Sequence, residues 1–160
     1  MEQNKYVKLH SLLRMGAALL AIVVFISMFV ATQVVHESGN SRLSYAFNSG
    51  AFFGDDYGTK GNVLGFVAYL LVLLGGLAGL AFVFIDEMIG KDLTKKLSFV
   101  VGGVMVVSAI LIFLFSPIFK GINDLPSSYY TAAGPIVFGC FALIAGAANV
   151  AAPILEDKGL

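Results

Sequence analysis

Polar, charge-bearing segments divide this chain into four long apolar runs. No charged residue occurs for 22 positions between Arg14 and Glu37, 25 between Lys60 and Asp86, 23 between Lys96 and Lys120, and 31 between Asp124 and Glu156. A helix needs about 20 mainly apolar residues to cross a hydrocarbon core of roughly 30 Å. All four runs pass that test, and none carries the charged face that a surface helix of a water-soluble protein turns outward. The pattern therefore predicts an all-α membrane protein: a single domain over 1–160, folded as a four-transmembrane-helix up-down bundle. Its spans fall at about 15–35, 61–85, 97–119 and 133–155, with outer loops 36–60 and 120–132 and a cytoplasmic loop 86–96. In the first outer loop, Leu43, Tyr45 and Phe47 alternate with Ser44 and Ala46. That period of two fits a short strand or hairpin.

A second pattern lies inside the spans. Successive helical residues rotate by about 100°, which gathers Gly61, Gly65, Ala68, Gly75, Gly76 and Gly79 into one sector of the second span. Phe66, Leu70, Leu73, Leu77 and Phe84 occupy the other side. The third span sets Ser98, Gly102, Ala109 and Ser116 on one face, and the fourth sets Pro135, Gly139, Ala142, Gly146, Asn149 and Pro153 in a narrow stripe. The first span carries a weaker stripe of Ala17, Ala21 and Ala31. In lipid, leucine against leucine gains little over leucine against an acyl chain, so small residues that admit close backbone approach drive association. Gly61, Gly65, Gly75, Gly76, Gly79, Gly102, Ala109, Gly139, Ala142, Gly146 and Asn149 are the expected helix-packing residues, within the chain or against a second one. Asn149 is expected to supply an interhelical hydrogen bond.

Composition agrees with the pattern: 58% of residues are hydrophobic, 12% are charged, and the mean hydropathy is +0.89. Ordinary soluble domains are roughly 25% charged. Lys5, Lys8, Arg14, Lys91, Lys95, Lys96 and Lys158 fall on one side of the predicted spans and Arg42, Lys60 and Lys120 on the other. The positive-inside rule then puts both termini and loop 86–96 in the cytoplasm. The first span is too long for a cleavable leader and lacks a small-residue cleavage site, so it reads as a retained anchor. The outer loops contain no cysteine and the chain has no N-x-[ST] sequon, which points toward a bacterial plasma membrane. A net charge of zero gives no reason to expect nucleic acid or a polybasic lipid switch.

Little chemistry is on offer. No Asp, Glu, Lys, Arg or His lies in the middle of a predicted span, where such groups mark ion paths and substrate sites. His10 and His36 lie roughly 39 Å apart along a helix rising 1.5 Å per residue, too far to share a metal. Cys140 stands alone in a span and reads as a small packing residue. Asp86-Glu87 and Glu156-Asp157 read as solvated helix ends, and Asp55-Asp56 supply too few of the 6–8 oxygens that Ca²⁺ needs. No catalytic residue, metal site or cofactor is predicted, and the chain reads as a protein that is not an enzyme. The aromatic outer segments carry more information. Tyr45, Phe47, Phe52, Phe53 and Tyr57, joined by Tyr129 and Tyr130 of the second loop, either cap the bundle at the membrane interface or dock a partner.

Four spans with a longer, strand-like first outer loop resemble the layout of claudin-like tetraspan proteins. Those proteins carry a tryptophan and paired cysteines in that loop; this chain has no Trp and its one Cys lies in a span. Small multidrug exporters share the span number but need a membrane-embedded acid that this sequence lacks. The expectation is a non-catalytic membrane protein, a structural or accessory subunit that contacts membrane lipid and binds another membrane protein or forms a homo-oligomer. The alternative is a small pore or transporter for a neutral solute, formed by oligomerisation.

Overall fold

The computed structural model describes residues 8–38, 41–47, 50–56 and 58–159. In chain order the elements are α1 (Leu9–Val30), β1 (Val34–Ser38), β2 (Ser41–Tyr45), α2 (Val63–Ile89), α3 (Lys91–Phe113), α4 (Phe115–Asn123), β3 (Tyr129–Thr131) and α5 (Ala133–Asp157). Four helices are long and apolar enough to cross a membrane: α1, α2 over Val63–Asp86, α3 and α5.

These four pack side by side in a closed ring, α1 against α2 and α5, α3 against α2 and α5. Neighbours run antiparallel. Rising along α2, Gly65 sits beside Phe115 and Gly75 beside Met105. Rising along α5, Gly139 sits beside Phe113, and Gly146 beside Gly102 and Met105. The interior between them holds Val24, Met28, Tyr69, Val72, Met105 and Ile112. The outward faces stay apolar, with Leu19, Ile26, Phe84, Val107 and Ile144 all exposed.

Several boundaries differ from the sequence reading, each for a local reason. α1 stops at Val30, and Val34 and Val35, expected inside the first span, begin β1 instead. Their branched side chains suit the extended backbone. The predicted loop 86–96 shrinks to one residue, because helix-forming side chains carry α2 to Ile89 and let α3 start at Lys91. Gly90 turns the chain between them with φ +84°, a conformation open to glycine and strained for other residues. The third span ends at Phe113 rather than 119. Pro117 offers no N–H to the carbonyl four residues back and its ring crowds that carbonyl, so the helix breaks at Leu114 and restarts as α4.

The expected strand forms as β2, though it ends at Tyr45, short of Phe47, and the unexpected strand β1 pairs on both edges. β1 pairs antiparallel with β2 (Val34↔Tyr45, His36↔Leu43) and with β3 of the second loop (Val34↔Thr131, His36↔Tyr129). The resulting sheet has the order β2-β1-β3 and covers one end of the four helices.

Candidate interaction sites

The sheet end is tied together by rings and by three amide side chains. Tyr129 stacks on His36 with centroids 4.2 Å apart and lies 6.1 Å from Tyr45, which in turn packs on Phe119 at 5.2 Å. Phe47 bridges Phe29, Phe52 and Phe53. Phe52 sits edge-on to Tyr69 and Phe115 and is 0% exposed. Phe52 was expected on an outer aromatic patch; it belongs to the interior, because loop 50–56 folds back over the helix ends. Tyr129 is also buried, Tyr45 and Phe47 are half-buried, and only Phe53 and Tyr130 remain well exposed. Tyr57 lies outside the described residues. Burial and the hydrogen bond to Tyr129 push the Tyr45 phenol above its ordinary pKa of 10.0.

The amides perform the stapling that disulfides supply in many small domains. Asn62 caps α2 by accepting from the Gly65 N–H at 3.0 Å, and its Nδ2 donates to the Phe115 carbonyl at 3.3 Å. Asn123 clamps the Lys60 backbone: its Oδ1 accepts from the N–H at 2.6 Å and its Nδ2 donates to the carbonyl at 2.8 Å. Tyr69 donates to Gln33 Oε1 at 3.1 Å, and Gln33 Nε2 donates to the Ala31 carbonyl at 3.0 Å. The sequence alone assigns Gln33, Asn62 and Tyr69 no role. The Tyr69–Gln33 and Asn62–Phe115 bonds span 36 and 53 positions, beyond any local signal.

The small residues meet three kinds of neighbour. At Gly76 a side chain would overlap the Ala21 Cβ and meet the Ala18 backbone at 3.3 Å; Gly102 and Gly146 face each other's carbonyl oxygens at 2.8 and 3.1 Å from their would-be Cβ atoms. These are backbone approaches. Gly65, Gly75 and Gly139 instead make room for Phe115, Met105 and Phe113. Gly79 makes room for the Asn149 amide. Asn149 Nδ2 donates to Met105 Sδ at 3.2 Å and to the Ala145 carbonyl at 3.3 Å, while its Oδ1 is buried without a hydrogen-bond partner. Ala109 and Ala142 are fully buried. Gly61 precedes α2 and is pressed on the Phe52 backbone, so it packs a loop rather than a helix. Cys140, read as a packing residue, is exposed.

The opposite end holds the residue that the sequence reading passed over. Arg14, placed there just outside the first span, lies inside α1 and is 1% exposed. Its Nη2 donates to Ser98 Oγ of α3 at 3.3 Å and lies 3.7 Å from Glu156 Oε2 of α5. Its guanidinium stands 5.8 Å from the centre of the Phe82 ring of α2. Asp86, one turn further along α2, adds a second carboxylate to its field and keeps Oδ1 buried without a hydrogen-bond partner. Glu156 and Asp86 are therefore not simply solvated helix ends. One signal was available: Arg14 stands on the same stripe as Ala17, Ala18 and Ala21, one step before it, and a stripe that faces the interior carries its first member inside with it. Nearby, Lys95 pairs with Asp157.

Among the described residues no three His, Cys, Asp or Glu side chains gather where a metal ion could be held. Comparison with protein-family models, with characterised proteins and with solved structures returns no match. The class that these features define is a helix-rich protein with four candidate membrane spans and a small sheet over one end of them.

Proposed function

We propose that this chain is a non-catalytic integral membrane protein, an up-down bundle of four spans with both termini in the cytoplasm of a bacterial cell. In this reading it serves as a structural or accessory subunit that binds another membrane protein or a second copy of itself. The supporting observation is the sheet end: strands from two loops, a continuous set of ring contacts and backbone clamps hold a rigid cap that still exposes Leu43, Phe53 and Tyr130 (52%, 58% and 43%). Rigid aromatic and aliphatic side chains on an ordered platform lose little entropy on docking and make good anchors. Cross-linking in native membranes followed by purification in mild detergent tests the reading. It expects one recurrent product whose yield falls in Phe53→Ser and Tyr130→Ser; a chain that stays monomeric and uncross-linked overturns it.

The second reading, a pore for a neutral solute formed by oligomerisation, draws on the partnerless Asn149 Oδ1 deep among the helices. It predicts solute flux in proteoliposomes that Asn149→Leu abolishes.

A further inference from the structure

Between α2 and α3, on the outward side of the ring, runs a lateral groove of ≈ 230 Å³ lined by Leu74, Gly75 and Ala78 on one wall and Val100, Val101 and Val104 on the other. Gly75 and Ala78 are the smallest residues of its lining. Leu74, Val100 and Val104 are exposed at its rim. One helical turn before Val100, and on the same face, stands Lys96, exposed and, among the described residues, without an ion pair or hydrogen-bond partner. Its neighbour Lys95 differs, being paired with Asp157. Side chains near a helix start lean toward the N-terminus, so the Lys96 stem runs away from the valines and delivers its ammonium toward the membrane surface. Lys91 adds a second exposed cation at that end, and Asp92, a turn beyond Lys96, makes no ion pair with it.

We infer that this groove and Lys96 together form a binding site for one anionic phospholipid of the adjoining leaflet, an acyl chain lying along the valines and the phosphate meeting the ammonium. The inference rests on the membrane reading above. Charge selects the occupant: the lining side chains are all apolar, and Lys96, one turn before Val100 on the same face, is exposed and makes no ion pair among the described residues. A partner helix would gain from the apolar walls alone and has no use for the lysine. A zwitterionic lipid offers the same chain but no net charge, so the site prefers the anionic headgroup.

The test uses the full chain reconstituted in vesicles of equal phosphatidylglycerol and phosphatidylcholine with identical acyl chains. Flotation checks insertion, and native mass spectrometry after mild solubilisation reads the retained lipid. The wild type should retain one phosphatidylglycerol with about fivefold preference, the weight of a single lysine at an anionic surface. Lys96→Gln, at an exposed position that leaves the packing intact, should bring the two lipids to parity. Ala78→Leu should fill the groove and remove both. Equal retention by the wild type, an undiminished preference in Lys96→Gln, or a two-chain mass that Ala78→Leu halves would each overturn the inference. A chain that floats yet shows no preference sinks this site alone; a chain that never floats sinks the membrane reading.

Discussion

At the sheet end, residues of 31–62 and 114–132 supply strands, a short helix and, among the described residues, nine aromatic rings with His36 counted, to close the four-helix ring. At the Arg14 end the link between α2 and α3 is Gly90 alone. The first end is sealed by backbone, with irregular segments whose N–H and C=O groups find strands or amide clamps. The second is sealed by one side chain that reaches helices α2, α3 and α5 from α1. Backbone seals are many and individually small. A single buried cation concentrates the same task in one place, and its loss leaves two carboxylates with nothing between them.

That contrast predicts where damage is greatest. Arg14→Met strands Asp86 and Glu156 opposite each other and should cost about 3–5 kcal/mol, the range for breaking a buried ion pair from one side. Glu156→Gln should cost less, because Asp86 still faces the guanidinium. Combining Arg14→Met with Asp86→Asn and Glu156→Gln should recover most of the loss, since a neutral set carries no uncompensated charge. Thermal unfolding in mild detergent reads all three. If the combined variant is no more stable than Arg14→Met, the cation is not what seals this end.

The next effect separates two kinds of glycine. Gly79→Ala drives a methyl group into the Asn149 amide and should cost about 1–3 kcal/mol, as overpacking does. Gly103→Ala meets nothing within 4 Å and should stabilise by about 0.5–1 kcal/mol through helix propensity. Melting curves of the two variants should therefore move in opposite directions. Equal shifts would mean that glycine position along the helix face is irrelevant.

Gly103 also marks how far the sequence could be read. Gly102 and Gly103 are adjacent, yet rotation by one residue puts the first against α5 and the second outside, and periodicity separates them correctly. The four runs, the facing stripes and the alternation at Leu43 and Tyr45 rest on such short periods and were legible, although the strand stops before Phe47. The β1–β3 pairing, the inward turn of Phe52 and the Asn62 and Asn123 clamps were not, because each joins positions far apart in the chain with no local trace. Arg14 lay in between. Its charge ended the apolar run by count, but its place on the alanine stripe put it inside by geometry, and the count took precedence. The loop at 86–96 failed in the same way, since polar residues that suggest a loop are also good helix formers.

A milder change probes the backbone-sealed end. Asn123→Ala removes both bonds to Lys60 and the one from Nδ2 to the Phe119 carbonyl at 3.0 Å. At roughly 0.5–1.5 kcal/mol for each net hydrogen bond, discounted for partial exposure, the loss should total about 1–2 kcal/mol. Hydrogen exchange should rise at residues 58–62 and stay unchanged near Arg14. Exchange that rises at both ends would show that the two seals act as one cooperative unit.

The smallest effect follows from Tyr45. Its phenol is held above 10.0 by burial first, then by the bond to Tyr129 and by nearby Asp55. In the unfolded chain it ionises near its ordinary pKa of about 10, so between the two values the folded state binds more protons. Stability from this group is therefore complete below pH 10 and declines as pH rises through the folded value. Tyr45→Phe keeps the ring contacts with Phe119 and Tyr129 but removes the titrating hydroxyl. The difference between wild type and variant should be constant up to about pH 10 and shrink above it, while other titrating groups cancel. Hydrogen exchange across 41–47, followed over that range in both proteins, reads the difference locally. A gap that stays constant to the highest pH would mean that the hydroxyl is already in contact with water, and that this corner of the sheet is looser than its ring packing implies.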